Sequence, residues 1–448
     1  MKPRVRQRLN WFSLHAVIRA LAGYGAKHGE LQGRLIADLS VRADPGAFAD
    51  ELRERGRMYR GRAAWLTADH ELVHHVLRSD DFTVTQIGGT LPGPLGWLEG
   101  KTTVAGRLHP LLPPSLLSVD PPEHTRYRKT VSSVFTARAV AALRERVQDT
   151  AEALLDEMAG AGDGARVVDV VDRYCSQLPV TVISEVLGVP ESQRSRVLEF
   201  GEAAAPSLDI GLSWSQYRTV DRGLESFNEW LTTHLAELRR NPGDDLMSQL
   251  IRTAEGSPGT APLLDDRELR ATAGLVLAAG FETTVNLLGN GIRMLMDAPD
   301  QLALLREDPQ LWPNAVEEIL RLDSPVQLSA RVALRDVDIA GTRLQRDEMV
   351  AIYLAAANRD PAVFPDPHRF DVTRENAGRH LAFSGGRHFC LGAALARAEG
   401  EVGLRAFFDR FPQAQPAGTG QRRDTRVLRG WSSLPVRLGP EVGAARPV

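Results

Sequence analysis

The chain holds two cysteines in 448 residues. One of them, Cys390, stands in FSGGRHFCLG (383–392), among glycines, Arg387 and His388. The stretch after it, LGAALARAEGEVGLRAFF, has the apolar spacing of a helix. The thiol is therefore expected at a helix N-terminus, where orphan N–H groups and the helix dipole favour an anion. Arg387 and His388 act in the same direction, and a cationic setting lowers a thiol pKa. Gly385, Gly386 and Gly392 leave room for a flat group to approach the backbone, and Phe383 offers an aromatic wall. A thiolate beside a wide, glycine-lined face suits axial ligation of haem iron. Cys175 lies in the apolar stretch VVDRYCSQLPVTVISEVLG and reads as a small core hydrophobe.

Other spacings could also carry chemistry. His70-Glu71-Leu72-Val73-His74 matches the zinc-protease pattern of two histidines at i, i+4 with a glutamate between them. Leu72, Val73, Val76 and Leu77 already give that segment an apolar stripe, and Glu99 is the sole nearby third ligand, so an ordinary helix is the better reading. Glu318 and Arg321 are i, i+3 and share a helix face; alone they are a surface pair of small worth. His124 and Arg128 are i, i+4 and alone read as a solvated face. Ala279, Gly280, Glu282, Thr283 and Thr284 place small and polar residues inside an apolar helix. A mid-helix threonine can bond back to the carbonyl four residues earlier, and a packing notch is the plain alternative. GAGDG at Gly160 lies between helical stretches, so it is no dinucleotide fingerprint.

The elements that must position these residues are mostly helical. ARAVAALRERVQDTAEALLDEM, QYRTVDRGLESFNEWLTTHLAEL, DRELRATAGLVLAAGFETTVNLLGNGIRMLM and the segment after Cys390 all show i, i+3, i+4 apolar spacing. Short strands are expected at 58–66 and in VALRDVDIAGTRLQRDEMVAIYL, with a hairpin turn at Gly341. Two long stretches, 85–115 and 357–383, are rich in Pro, Gly, Asp or Asn and read as functional loops. Hydrophobic residues make up 43% and the formal net charge is -3, which suits a soluble globular protein and argues against nucleic-acid binding. All cations but Lys2, Lys27, Lys101 and Lys129 are arginine, a coding bias rather than a function. The basic, partly apolar N-terminus, interrupted by His15 and Arg19, lacks a clear signal-peptide pattern. A helix over about Trp11–Leu21 is expected there, docked on the domain rather than on a membrane.

Phe383-x-x-Gly386-x-His388-x-Cys390-x-Gly392 resembles the haem-binding loop of the cytochrome P450 family, and the likeness runs from about residue 40 to the C-terminus. Within the family the chain is similar to soluble bacterial members, of actinobacterial or mycobacterial kind. The resemblance implies a mainly α, triangular fold with small β-sheets, and haem b between the long distal helix and the cysteine helix. It implies Cys390 as the iron ligand, with Phe383, Gly386, His388 and Gly392 around it. It implies that His124, Arg128, Arg331 and His388 reach the haem propionates, and that Ala279 leaves space above the iron. Glu282 and Thr283 become an acid–alcohol pair that moves protons, with Thr284 in support. Glu318 and Arg321 become a buried pair behind the cysteine loop, joined by Arg359.

The expected division is an N-terminal extension, 1–36, and one catalytic domain, 37–448. The implied reaction is insertion of one oxygen atom from O2 into an apolar lipid, polyketide, terpenoid or steroid. Electrons would come from NAD(P)H through a ferredoxin and its reductase, docking near Arg126, Lys129 and Arg397. The pocket is expected between 85–116, 203–217, 275–283, 326–329 and 431–433. The expected state is a cytoplasmic monomer. The alternatives are a peroxide-using hydroxylase, a haem sensor without turnover, and the zinc protease.

Overall fold

The computed structural model describes residues 3–84, 108–135, 137–160, 167–256 and 261–440. Residues 85–107 of the first expected loop, with Glu99, and most of GAGDG lie outside them. The helical periodicities become the helices Ala137–Gly160, Trp214–Arg240, Asp266–Asp297 and Ala393–Arg410. The long helix Asp266–Asp297 begins with a capping box in which Asp265 and Glu268 answer each other's backbone N–H groups. It is apolar and long enough to span a membrane by composition, yet 67% of that stretch is buried, as suits a core helix. Leu277, Phe281, Val285, Leu288 and Ile292 put it into the main core with Leu178, Ile183, Leu404 and Phe407.

One mixed sheet sits to the side. Its strands follow the spatial order Tyr59–Arg60, Trp65–Thr67, Met349–Tyr353, Leu328–Ala333 and Phe82–Val84. Trp65–Thr67 runs parallel to Met349–Tyr353, and the other pairs are antiparallel. The hairpin expected at Gly341 is present, with Val337–Ile339 against Thr342–Leu344 and Ala340 and Gly341 both at positive φ. The expected strand over 58–66 is two short strands, broken at Gly61, where an added Cβ would meet the Gln32 side chain and the Ala64 carbonyl.

The N-terminal segment is helical from Pro3 to Lys27, with one wide turn at Phe12–Ala16. It lies on the 212–221 region. The Trp11 indole donates to the Leu212 carbonyl at 3.0 Å, Asn10 donates to the Tyr217 hydroxyl at 3.0 Å, and Trp11 meets Trp214 edge to face.

The helix Arg194–Ala204 crosses the long helix at Gly201, where an added Cβ would fall 1.7 Å from the Phe281 ring. Gly201→Ala is expected to force Phe281 off its rotamer and to cost about 1–3 kcal/mol. Urea unfolding of the two proteins checks this.

Candidate active site

The cysteine loop is shaped by one close approach. Gly386 has φ +62°, and a Cβ there would lie 2.4 Å from the Leu77 carbonyl, so the loop rests on the helix His70–Arg78 and needs glycine. The Cys390 N–H donates to the Phe383 carbonyl at 3.0 Å and closes the loop. Gly392 starts the helix Ala393–Arg410 and has open space where a Cβ would go. The Cys390 thiol is accessible but lines a recess with protein around it. That surrounding protein pushes its pKa up, while the Gly392 N–H, Arg128 and Arg397 pull it back. Desolvation thus opposes the expectation that the loop alone favours thiolate, and a bound cation would favour the thiolate there.

Around the thiol the structure gathers four residues from three separate parts of the chain. Arg128, on the helix Glu123–Ser132, donates to the Phe389 carbonyl at 2.8 Å. His124 lies one turn earlier, its ring 4.4 Å from that of His388. Arg331 projects from the sheet and donates to the Ala330 carbonyl and the Ser329 hydroxyl. Burial pushes His124 down to about 4 and Arg331 down to about 10, and it lowers Arg128 and His388 too. Among the described residues Asp120 is the carboxylate near this group, 3.8 Å from His388. The buried Nε2 atoms of His124 and His388 have no hydrogen-bond partner among the described residues. Two desolvated arginines and two desolvated histidine donors with so little negative charge beside them fit a ligand bearing two carboxylates.

On the long helix, Ala279 is exposed and Thr283 half-exposed although the helix is otherwise core. The Thr283 hydroxyl donates to the Ala279 carbonyl at 3.1 Å. Glu282 points away from that side and is 3% exposed. Burial raises its pKa, and Arg423 at 3.3 Å opposes the rise. Thr284 faces the cysteine helix near Glu399, and its hydroxyl donates to the Gly280 carbonyl at 3.5 Å.

Behind the loop, Glu318 and Arg321 are both wholly buried and form a two-pronged pair at 2.6 and 2.8 Å. Their third member is Arg374, whose Nε lies 3.1 Å from Glu318. The expected Arg359 is a correction. Its guanidinium turns to the Leu322 carbonyl at the end of the helix Trp312–Leu322 and to His368, too far round to reach Glu318. Two of the expected docking cations are also spent. Arg126 makes two bonds of 2.7 Å to Glu268, and Arg397 pairs with Glu317 at 2.6 Å. The protease-like pair ties its helix to the protein: His70 bonds the Arg379 carbonyl at 2.9 Å, and Glu71 pairs with Arg57.

The sequence reading missed Arg374, Glu399 and Arg423. Glu399 carried a signal, since Leu395 and Val402 place it on the apolar face of its helix. Arg374 and Arg423 sit in irregular chain, where no periodicity marks a buried arginine.

Residues 310–429 match the family model for cytochrome P450. A Mycobacterium tuberculosis protein assigned to cytochrome P450 140 is 65% identical over 443 residues, covering 99% of this chain and all of that one. The chain belongs to the cytochrome P450 family. The 6-deoxyerythronolide B hydroxylase of Saccharopolyspora erythraea is 46% identical over 324 residues, 71% of this chain and 76% of the hydroxylase. The structure of P450BioI in complex with an acyl carrier protein ligated to hexadec-9Z-enoic acid aligns with TM-score 0.77 at 30% identity, over 89% of this chain and 99% of that one. The protein is thus a haem-thiolate monooxygenase, an oxidoreductase with Cys-ligated haem iron, of the mainly α P450 fold. Members of the bacterial family use O2, a small substrate and redox partners.

Two outcomes follow from the buried groups. Arg374→Ala leaves Glu318 short of one cation and is expected to cost about 3–5 kcal/mol and to hinder haem incorporation. Arg359→Ala strands only the Leu322 carbonyl and is expected to cost about 1–3 kcal/mol; denaturant midpoints and haem content of the two variants compare them. Glu399 is fully buried, and its pKa is pushed up from 4.5 to about 8. A carboxyl raised on folding stabilises least where it must ionise, so stability is full below pH 4.5 and falls as pH rises to 8. The fall from this one group is on the order of 5 kcal/mol at most. In Glu399→Gln that slope is expected to vanish, as read from unfolding midpoints between pH 5 and pH 8.

Proposed function

We propose that this P450 hydroxylates an apolar organic substrate of lipid, polyketide, terpenoid or steroid class in the cytoplasm, with electrons from a ferredoxin and its reductase. The observation that carries the site assignment is the group of two desolvated arginines and two desolvated histidines beside one accessible thiol. In this reading Cys390 is the iron ligand, and His124, Arg128, Arg331 and His388 hold the two propionates. Phe383, Gly386 and Gly392 shape the proximal face, and Ala279 keeps the distal face open. When bound, a thiolate-held haem favours O–O cleavage, so that O2, two electrons and two protons yield one inserted oxygen atom and one water.

The chain's own work is to orient, to exclude water and to move protons. Thr283 offers a hydroxyl that can leave the Ala279 carbonyl and turn to the open side. Glu282, one residue before it, stores a proton in a desolvated place and hands it towards Thr283. Glu318, Arg321 and Arg374 keep the loop behind the thiol in one position. Residues 37–448 form the catalytic domain, and 1–36 are an extension laid on its 212–221 region. Relatives named for hydroxylating 6-deoxyerythronolide B and vitamin D(3) support an apolar substrate. Lys129, exposed and next in sequence to Arg128, remains as a docking contact for the electron donor.

The reduced carbon-monoxide complex is expected to show the long-wavelength Soret band of thiolate ligation, and Cys390→His is expected to abolish it. A band that survives in Cys390→Ser overturns the ligand assignment. Thr283→Ala is expected to keep the band and to consume NAD(P)H with suitable partners while releasing several-fold more peroxide. Unchanged peroxide release removes Thr283 from proton handling.

A further inference from the structure

A proton store must be refilled, and Glu282 is almost sealed. Neither of its carboxyl oxygens has a hydrogen-bond partner among the described residues. One turn on, Asn286 is fully buried, and both its amide nitrogen and its amide oxygen also lack partners there. A further turn brings Asn290, just as buried but saturated. Its nitrogen donates to the carbonyls of Asp323 and Arg429, and its oxygen accepts from Arg422 at 2.7 Å. The residues are i, i+4, i+8 and form one polar row along the long helix. The protein answers one end of the row and not the other.

The segment 421–431 faces the unanswered end. Arg423 brings a buried Nε, itself without a hydrogen bond, to 3.3 Å from Glu282. Its other end lies 4.0 Å from Glu202, which is half-exposed on the helix Arg194–Ala204. The backbone at Gly430 crosses directly over Asn286, and the nearby Trp431 indole N–H is unpartnered too. On the outer side of Arg423 is a cavity of about 40 Å³ lined by Arg42, Gln327, Arg422, Arg423, Arg426 and Gly430. That volume holds roughly three waters. Buried polar groups that the protein leaves unanswered are normally answered by ordered water.

We propose that a file of ordered water over Asn286, fed from the arginine-lined cavity beneath 421–431, carries protons to Glu282, with Arg423 as the positioning residue that holds the file between Glu202 and Glu282. The proposal rests on the reading of Glu282 as proton store. Each proton given up by Glu282 is replaced by one passed along water hydrogen bonds from bulk solvent, so no protein group is consumed. Arg423 stays protonated throughout and cannot itself relay. It attracts the carboxylate of Glu282, and Glu202 repels it; these are the charged groups that face Glu282.

The test uses the holoenzyme with Asn286→Leu, Arg423→Gln, Arg423→Lys and Glu282→Gln. Infrared spectra in H2O and D2O give the protonated-carboxyl band that Glu282→Gln removes. Loss of the cation disfavours the carboxylate, so the titration midpoint of that band is expected to rise by a pH unit or more in Arg423→Gln and to return in Arg423→Lys. Asn286→Leu keeps the size but cannot hold water. It is expected to raise at least twofold the solvent deuterium effect on substrate-free NADPH oxidation through a surrogate ferredoxin and reductase, with the carbon-monoxide band unchanged. Midpoints and isotope effects equal to the parent's in Arg423→Gln and Asn286→Leu overturn the route. If Glu282→Gln also leaves the isotope effect unchanged, the fault lies in the reading of Glu282; if it alone raises the effect, only the route is wrong. A thermal midpoint that rises in Asn286→Leu shows a dry site and overturns the water file.

Discussion

One wholly buried carboxylate, Glu318, organises the far side of the haem loop. It binds Arg321 with two bonds, Arg374 with one and the Asp371 N–H with another. The two arginines then spread outward. Arg321 donates to the carbonyls of Asn358, Pro367 and Arg369, and Arg374 to those of Pro365, Asp366 and Arg369. That stretch has almost no regular structure, so its carbonyls would otherwise be buried without partners. A charge cluster replaces a backbone ladder, and the chain that leads into Phe383 is held as firmly as a strand would hold it.

The same economy recurs at the site. The loop is fixed from below by the helix His70–Arg78 through Gly386 and from the side by Arg128 on the Phe389 carbonyl. Neither contact uses the thiol, which remains open. Positioning is therefore done by groups other than the thiol, which leaves Cys390, and Ala279 and Thr283 on the long helix, accessible.

Much of this could be read in the sequence. Cys390 was legible because a thiol, glycines and a following apolar helix are local signals, and the long helices because their periodicity is strong. Glu318 and Arg321 were legible as a pair because they share one helix. Arg374 was not, since Arg359 and Arg374 both sit in aperiodic chain and only the path of that chain decides which one turns inward. Nor was the state of the thiol: the helix terminus and nearby cations are visible in sequence, while the desolvation that outweighs them depends on packing. Glu282 stood out as a polar residue in an apolar helix, but Arg423 comes from a remote segment with no pattern of its own.

The gathered arginines and histidines have a consequence for biogenesis. They come from three separate parts of the chain, and bringing them together before any anion arrives leaves two arginine charges in a poorly solvated place. The last stage of folding is then uphill until the dicarboxylate cofactor supplies the missing charge. By mass action the bound cofactor stabilises the assembled state over the open one. Haem supply in the cell would thus govern how much of this chain persists as well as how much of it is active, because the protein short of cofactor is also the protein most exposed to proteolysis.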